Sequence, residues 1–433
     1  MSTISGVAIG ASDVDELKIY RRVAWRILPL SIICYFFSYL DRINISFAKT
    51  QMQSELGLSD AAYGIAASIF FVGYVLFEVP SSIGLRKYGA PAWLCRIMVS
   101  WGLATAAIVF AYNEYTLYLL RFLIGVMEAG FAPAILFYLA CWFPKKKMAS
   151  INGIFLIAAP LSGALGAPIA GLILDGMHGL MGWSGWHWLF LFSGLPCALF
   201  GLVTVWKLDR DIEAAKWLSP DEKVFLKEAV AEGRQAKGKH GSMWGVLFTR
   251  EVAVFAVIYF IIKTSAYGLN FWMPNLIAKS GVHDLVTVGF LTAMPYAVAV
   301  VAMLAVTRYS DKTNNRRTPT WCCLVVASLG YLLACLYHDN TTIMMLALTA
   351  ATAGSFVAVP VFWALPQSTF SGLAIATGVA AVNSVGQLSG IVVPAWVGFM
   401  NDLTGNSYMG MLSIAPLLLI GALIVVRFVP KNA

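Results

Sequence analysis

LYLLRFLIGVMEAGFAPAILFYLA, residues 117–140, is apolar along its whole length except for Arg121 and Glu128. A helix needs about 20 apolar residues to cross the roughly 30 Å hydrocarbon core of a bilayer, and this stretch is long enough. Gly and Pro recur at 125–134, as in membrane helices that pack closely and bend. The stretch therefore predicts a transmembrane helix. Its charges need a partner, a water-filled site or a function, because each costs about 2.5–3.5 kcal/mol at the centre of a membrane.

The rest of the chain repeats this apolar pattern. Of its 433 residues, 59% are hydrophobic and 12% are charged, and the mean hydropathy is +0.75, whereas a soluble domain is about 25% charged. A soluble protein of this composition would expose large apolar patches and aggregate. The sequence predicts an all-α membrane protein with transmembrane spans at residues 27–48, 61–83, 91–111, 117–140, 151–174, 187–206, 252–274, 287–307, 320–337, 342–366, 374–400 and 409–428.

The spans fall into two groups of six, separated by one long polar segment. Within that segment, WLSPDEKVFLKEAVAE at 217–232 has Ser before Pro and acidic residues, which is typical of a helix start. We interpret the segment as a solvated tether, with a regulatory role as the alternative. The predicted units are a cytoplasmic N-terminal segment at 1–26, an N-terminal six-helix bundle at 27–206, a cytoplasmic linker at 207–251, a C-terminal six-helix bundle at 252–428 and a cytoplasmic tail at 429–433.

Basic residues concentrate in the links on one side of the predicted membrane. A net charge of +8 would suggest nucleic acid as the partner of a soluble protein, but here it follows the rule that cytoplasmic loops are rich in Lys and Arg. The opposite side holds only Lys49 and Lys279. Both termini are therefore expected in the cytoplasm, on the side that holds Lys18, Arg21, Arg22, Arg26, Arg86, Lys87, Lys145, Lys146, Lys147, Arg308, Lys312, Arg316 and Arg317.

Polar side chains inside the spans indicate a binding site. Arg121 and Glu128 are two turns apart on one face of span 4, and Asn383 and Gln387 share a face of span 11. An arginine pairs with a carboxylate at two points, so the set fits an anionic, hydrogen-bonding substrate. For Trp363, the alternative to substrate binding is that it anchors a helix end at the membrane interface. The candidate substrate-binding residues are Arg42, Tyr74, Arg121, Lys263, Asn270, Trp363, Asn383 and Gln387.

The carboxylates Asp41 and Glu128 need a different interpretation, because a negative group repels an anion unless it is protonated or paired. Burial disfavours a charged carboxylate and a neighbouring arginine favours it. Asp41 beside Arg42, and Glu128 near Arg121, are therefore candidates for proton coupling. Structural ion pairing is the alternative, and it would make both arginines fixed counter-ions instead of substrate ligands.

Small residues form a stripe along span 5. Gly163, Ala167 and Gly171 lie at i, i+4 and i+8 within PLSGALGAPIAG at 160–171. Such a stripe lets helix backbones approach each other. It predicts close helix packing, and the alternative is that it lines the substrate path.

Four motifs carry a resemblance to the major facilitator superfamily, and within it to the anion:cation symporter family, which includes tartrate, 4-hydroxyphenylacetate, phthalate and sugar-acid transporters. The superfamily's loop signature after span 2 is degraded, since Arg86 stands where its Asp would be, and the copy after span 8 is better kept as YSDKTNNRR at 309–317. The motifs are LDRINISFA at 40–48, YLLRFLIGVMEAGFAPA at 118–134, WFPKKKMA at 142–149 and GWHWLFLFSGLP at 185–196.

The resemblance implies two pseudo-symmetric six-helix bundles, each with inverted three-helix repeats, around a site at the membrane midplane. It implies that Asp41 and Glu128 match the family's proton-carrying carboxylates. It also implies that the substrate-contacting positions are Arg42, Tyr74, Arg121 and Asn383.

We expect a secondary transporter that imports a small organic anion, such as the hydroxylated carboxylate tartrate, together with protons. Aromatic-acid or sugar-acid symport and organic anion antiport or export are the alternatives. An enzyme is not expected, because the five histidines lie at loops or span ends and no phosphate-binding loop is present. No metal, cofactor or nucleic acid is expected, and the expected location of the functional monomer is the bilayer of the cell inner membrane.

Overall fold

The computed structural model describes residues 16–234, 249–313, 315–369 and 373–430. Parts of the predicted N-terminal segment, linker and tail lie outside these ranges. The described helices are α1 Glu16–Leu56, α2 Asp60–Tyr88, α3 Ala90–Ala106, α4 Glu114–Glu128, α5 Phe131–Trp142, α6 Lys145–Leu156, α7 Ala158–Gly176, α8 Gly185–Lys207, α9 Pro220–Arg234, α10 Arg250–Lys279, α11 Leu285–Thr313, α12 Arg317–Leu336, α13 Thr341–Thr369, α14 Leu373–Thr404, α15 Met409–Leu412 and α16 Ile414–Phe428.

Twelve helical stretches in the described chain are long and apolar enough to cross a membrane. This confirms the predicted all-α class and the predicted number of spans. Spans 1–3 are α1–α3, span 4 is α4 with α5, span 5 is α6 with α7, and span 6 is α8. Spans 7–11 are α10–α14, and span 12 is α15 with α16.

The packing of the spans repeats after six. Span 1 packs against span 5, span 2 against span 4 and span 3 against span 6; likewise span 7 packs against span 11, span 8 against span 10 and span 9 against span 12. Contacts of span 1 with span 7, span 2 with span 11 and span 5 with span 8 join the two sets. The chain therefore forms two pseudo-symmetric six-helix bundles, as predicted.

The two bundles approach each other closely at one face of the molecule. We call the face where span 1 begins and span 12 ends the terminal face, and the opposite one the distal face. A Cβ added to Gly64 would lie 2.4 Å from the Pro394 carbonyl oxygen, and one added to Gly398 would lie 2.2 Å from the Asp60 carbonyl oxygen. The backbones of spans 2 and 11 therefore touch at the distal face because glycine stands at both positions.

The small-residue stripe of span 5 packs against span 8 of the other bundle. A Cβ on Gly163 would lie 2.6 Å from the Tyr296 ring, and one on Gly171 would lie 2.6 Å from the Leu285 carbonyl oxygen. Ala167, between the two glycines, is completely buried. The predicted close packing is confirmed, and the interface that it serves is the one between the bundles.

Span 1 continues beyond its predicted end, and the placement of Lys49 in a loop was wrong. The helix extends to Leu56, and Lys49 is completely buried. The Lys49 ammonium lies 2.8 Å from the Asp60 carboxylate and donates a 3.0 Å hydrogen bond to Asn275. It also lies 4.1 Å from the centre of the Trp272 ring. The predicted span ended at residue 48 because Lys49 is charged. The partners from spans 2 and 7 make the buried lysine tolerable.

Span 4 is broken next to Glu128. Helix α4 ends at Glu128 and α5 begins at Phe131, with Gly130 between them at φ 81°. That left-handed conformation favours glycine, and an added Cβ would lie 2.4 Å from the Ser81 hydroxyl oxygen. Pro133 lies in the first turn of α5, where a backbone N–H has no partner within the helix. The Glu128 side chain therefore projects from a helix end in the middle of the span.

The described part of the linker is docked on the first bundle, so its interpretation as a solvated tether was wrong. The predicted helix start is confirmed: the Ser219 hydroxyl accepts from the Glu222 N–H, and the Glu222 carboxylate accepts from the Ser219 N–H. The Trp217 indole stacks on Trp142 of span 4 and donates a 2.7 Å hydrogen bond to Asp209. Leu218, Leu226 and other apolar linker side chains are buried. Apolar burial therefore holds this segment against the bundle.

Replacement of Trp217 tests this docking. We expect Trp217→Ala to lower the unfolding free energy by about 2 kcal/mol, less than the 3–5 kcal/mol of a fully buried aromatic residue. Thermal unfolding of the purified protein in detergent measures the change. Trp206→Ala is the matched control, because Trp206 is 79% exposed on an outer helix surface. Equal melting temperatures for both variants would contradict the docked arrangement.

A wedge at the contact between spans 5 and 8 tests the distal closure. In Gly171→Val the new side chain meets the span 8 backbone, so we expect the bundles to separate at the distal face while each stays folded. A reporter Ser46→Cys, buried beside Gly171, should then react faster with a water-soluble maleimide. Gly176→Val on the same helix is the control, because nothing lies within 4 Å of its added Cβ. Unchanged reactivity in Gly171→Val would refute the closure.

Candidate functional site

An ion pair between spans 1 and 4 forms the centre of the site. The Nε and Nη2 atoms of Arg42 donate hydrogen bonds of 2.9 and 2.6 Å to Oε1 of Glu128. Ser38, one turn before Arg42, donates a 2.7 Å bond to the same oxygen. The Glu128 side chain is completely buried, and its Oε2 has no hydrogen-bond partner among the described residues. One carboxylate oxygen thus carries three hydrogen bonds while the other remains available.

Asp41 points away from this pair, towards span 3. Its Oδ2 accepts a 2.5 Å hydrogen bond from the Trp101 indole, and both residues are buried. The alternative of an ion pair with an arginine therefore applies to Glu128, which pairs with Arg42 instead of Arg121, and Asp41 does not pair with Arg42. Consecutive side chains on a helix diverge by about 100°, so Asp41 and Arg42 reach different neighbouring spans.

Arg121 is completely buried in the first bundle without an ion pair to a described residue. Its Nε donates a 3.2 Å hydrogen bond to the Ala66 carbonyl, and its guanidinium lies 5.1 Å from the centre of the Phe70 ring. Its Nη2 has no hydrogen-bond partner in the described chain. A buried arginine with an unused donor is suited to an anionic ligand.

Aromatic residues surround the Arg42 guanidinium. It lies 5.0 Å from the centre of the Tyr74 ring and 5.5 Å from that of Phe70. Tyr74 itself is buried on span 2. The predicted pair of Arg42 and Tyr74 is therefore brought together, and the ring faces stabilise the cation in a site with little water.

Lys263 and Tyr267 lie one turn apart on span 7, in the second bundle. The Lys263 ammonium lies 4.5 Å from the centre of the Tyr267 ring. The Tyr267 hydroxyl donates a 2.6 Å hydrogen bond to Gln387 of span 11. Two of the predicted residues, Lys263 and Gln387, therefore meet at one tyrosine.

Asn270 joins the two bundles at the centre. Its Nδ2 donates a 3.0 Å hydrogen bond to the Tyr39 hydroxyl of span 1, and its Oδ1 accepts a 2.8 Å bond from the Tyr296 hydroxyl of span 8. All three residues are buried. Asn270 is thus engaged by protein groups in this conformation, and its bond to Tyr39 must break when the bundles separate.

The remaining predicted residues lie on spans 10 and 11. Trp363 packs on Tyr259 of span 7, with ring centres 4.7 Å apart. It therefore faces a neighbouring helix, close to the end of its own span at Pro366. Asn383 is half-buried on span 11, one turn from Gln387.

Several residues of the site escaped the sequence analysis. Ser38 and Tyr267 carried a signal, because each lies four residues from a charged residue and so on the same helix face. Trp101, Tyr39 and Tyr296 carried none, since their roles depend on which spans are neighbours.

No group of three or more His, Cys, Asp or Glu side chains suited to a metal ion occurs in the described chain. Charged groups held in the interior, between bundles of membrane-spanning helices, instead characterise a secondary transporter. The fold and site thus define a multi-pass membrane protein of the transporter class.

The chain belongs to the Major Facilitator Superfamily, whose model matches residues 31–394. Members of this superfamily are transporters of small molecules and not enzymes. A protein of Agrobacterium vitis named "Putative tartrate transporter" is 39% identical over 426 residues, which cover 96% of this chain and 93% of that protein. A protein of Acinetobacter baumannii named "Quinolone resistance transporter" is 35% identical over 412 residues, 94% of each chain.

A solved structure of the xylose transporter XylE from E. coli, in a partially occluded inward open conformation, has the same fold. Its TM-score is 0.74 at 13% identity, with 94% of this chain and 98% of that chain covered. At this identity the likeness concerns the fold alone.

A double-mutant cycle tests the Arg42–Glu128 pair. We expect Arg42→Leu to destabilise the protein by about 3–5 kcal/mol, because it leaves a buried carboxylate unpaired. Adding Glu128→Gln should recover part of that loss. Chemical or thermal unfolding of the four proteins measures the coupling energy. The control cycle uses Arg22 and Glu222, an exposed pair expected to couple by about 0–1 kcal/mol. Additive effects at Arg42 and Glu128 would argue against a structural pair.

Proposed function

We propose that this protein is a secondary active transporter that imports a small hydroxylated carboxylate, such as tartrate, together with protons. The observation that carries the proposal is the buried Arg42–Glu128 pair, in which an arginine suited to a substrate carboxylate is occupied by a glutamate. The name of the 39% identical relative from Agrobacterium vitis supports tartrate as the first substrate to test. No residue would catalyse a covalent step.

Coupling follows from competition for Arg42. While Glu128 is ionised, it holds the guanidinium through two hydrogen bonds. A proton on Glu128 removes the charge that attracts Arg42, and the guanidinium can then pair with a substrate carboxylate. The substrate and the proton thereby bind together, because either one alone leaves a charge uncompensated in the membrane interior. Asp41 is proposed as a second proton site, held in place by Trp101.

The substrate would contact residues of both bundles. Arg42, Arg121 and Tyr74 are the proposed contacts in the first bundle. The proposed contacts in the second bundle are Lys263, Asn270, Trp363, Asn383 and Gln387.

Transport would proceed by movement of residues 27–206 against residues 252–428, which are the proposed domains of the protein. The excess of basic residues beside the terminal face supports a cytoplasmic position for both termini. The protein would lie in the cell inner membrane and function as a monomer. With the distal face closed, the conformation described here would face the cytoplasm, and opening would break the Tyr39–Asn270 hydrogen bond.

Export of an organic anion is the second candidate, and the 35% identical quinolone resistance transporter favours it. Aromatic-acid or sugar-acid symport is a variant of the first proposal with the same coupling. The direction of transport and the identity of the substrate are therefore tested in one experiment.

Removal of the Glu128 charge is the decisive test. Proteoliposomes with an inward proton gradient should accumulate radiolabelled L-tartrate, and Glu128→Gln should abolish accumulation because no proton is bound and released. Counterflow exchange of tartrate should survive, since Arg42 stays free for the substrate. Uptake and exchange by the same vesicles measure both quantities, with 4-hydroxyphenylacetate as competitor.

Glu251→Gln, an exposed change at the start of span 7, is the control and should behave as the wild type. Gradient-driven accumulation by Glu128→Gln would contradict coupling through this residue. Transport of neither acid would refute the substrate class. Proton-driven extrusion of a quinolone, without tartrate uptake, would favour the exporter.

A further inference from the structure

Lys263 is the one basic residue in the interior of spans 7–12. Every other Lys or Arg of residues 250–428 stands at a span end or in a link. Among the described residues, no carboxylate lies within ion-pair distance of its ammonium group. The acidic residues of this half are all near span ends as well, at Glu251, Asp284, Asp311, Asp339 and Asp402.

The face of span 7 that carries Lys263 is turned towards the first bundle. Tyr267 and Asn270 follow at i+4 and i+7 on that face. The Tyr267 ring lies 4.7 Å from the Phe71 ring of span 2, and Asn270 binds Tyr39 of span 1. Lys263 therefore belongs to the region between the bundles and not to the lipid-facing surface.

The two buried acids of the first bundle, Glu128 and Asp41, are engaged by other groups. Glu128 is paired with Arg42, and Asp41 is bound by Trp101. The Tyr267 ring face gives Lys263 a weak cation–π contact but no negative charge. An unpaired ammonium in the membrane interior is costly, so an anionic ligand is the group that would balance it.

Arg42 and Lys263 lie beside the same group of aromatic rings. The Arg42 guanidinium lies over Phe70, Phe71 packs on Tyr267, and Lys263 lies over Tyr267. A ligand with two anionic groups can meet both cations, with one group for each bundle. The planar fork of an arginine orients one carboxylate, whereas a lysine offers a mobile point charge that accepts a second at less defined geometry.

We propose that Lys263 binds the second carboxylate of a short hydroxylated dicarboxylate whose first carboxylate binds at Arg42. Lys263 thereby selects dicarboxylates over monocarboxylates. The inference rests on the proposed function, because it assumes that Arg42 receives a substrate carboxylate.

Two probes that differ by one carboxylate test this inference. L-Threonate is L-tartrate with one carboxylate replaced by a hydroxymethyl group. The binding of each probe to the purified protein is measured by calorimetry. The proteins compared are the wild type, Lys263→Gln, Lys263→Arg and Lys312→Gln. The last of these is the control, an exposed change in the link after span 8. Lys263→Gln should weaken tartrate binding by about 10- to 100-fold, as for the loss of one charge-assisted hydrogen bond. Threonate binding should be nearly unchanged, and Lys263→Arg should retain the preference for tartrate.

Each outcome is decisive. An equal loss of affinity for both probes in Lys263→Gln, or equal affinities in the wild type, would overturn the role of Lys263 and leave the proposed function standing. Binding of neither probe by the folded wild type would overturn the proposed function together with the inference. If Lys263→Gln does not fold, Lys263→Met replaces it, because methionine has a side chain of similar length. The same ratio of tartrate affinity to threonate affinity then decides.

Discussion

The pairing of Arg42 with Glu128 is the interaction on which the centre of this protein depends. Neither charge is tolerable alone in the membrane interior, where an unpaired ion costs several kcal/mol. The pair fixes span 1 against span 4. In the proposed mechanism, the arginine becomes available only when the glutamate gives it up, so that structure and coupling would depend on the same contact.

The interface between the bundles combines close backbone contacts with polar and aromatic ones. At the distal face, glycines such as Gly64 and Gly171 allow backbones to touch without interlocking side chains. The polar contacts there include that of Lys49 with Asn275 and those of Asp402 with the backbone N–H groups of Asp60 and Ala61. Large buried side chains also pack across the interface, such as Tyr63 on Trp272 and Phe71 on Tyr267.

The two bundles contribute unequal chemistry to the centre. The first supplies the acids, two arginines and the indole of Trp101, while the second supplies one lysine, amides and tyrosines. In the proposed mechanism the first bundle holds the proton, and a ligand with charge at both ends would link this bundle to the second. The docked linker stabilises the terminal face of the first bundle, through Trp217 and its neighbours, and does not reach this site.

The number of spans, the all-α class and the division into two bundles were predictable from the sequence, because bilayer thickness sets the length of an apolar helix. The stripe at Gly163 and Gly171 and the buried charges were also visible, since a charge inside an apolar run is conspicuous. The partners of the buried charges were not predictable from the sequence. Asp41 and Arg42 are adjacent in sequence, yet they bind different spans, and the burial of Lys49 depends on residues of spans 2 and 7. Which faces meet is decided by the packing of helices, and only the tertiary structure contains that information.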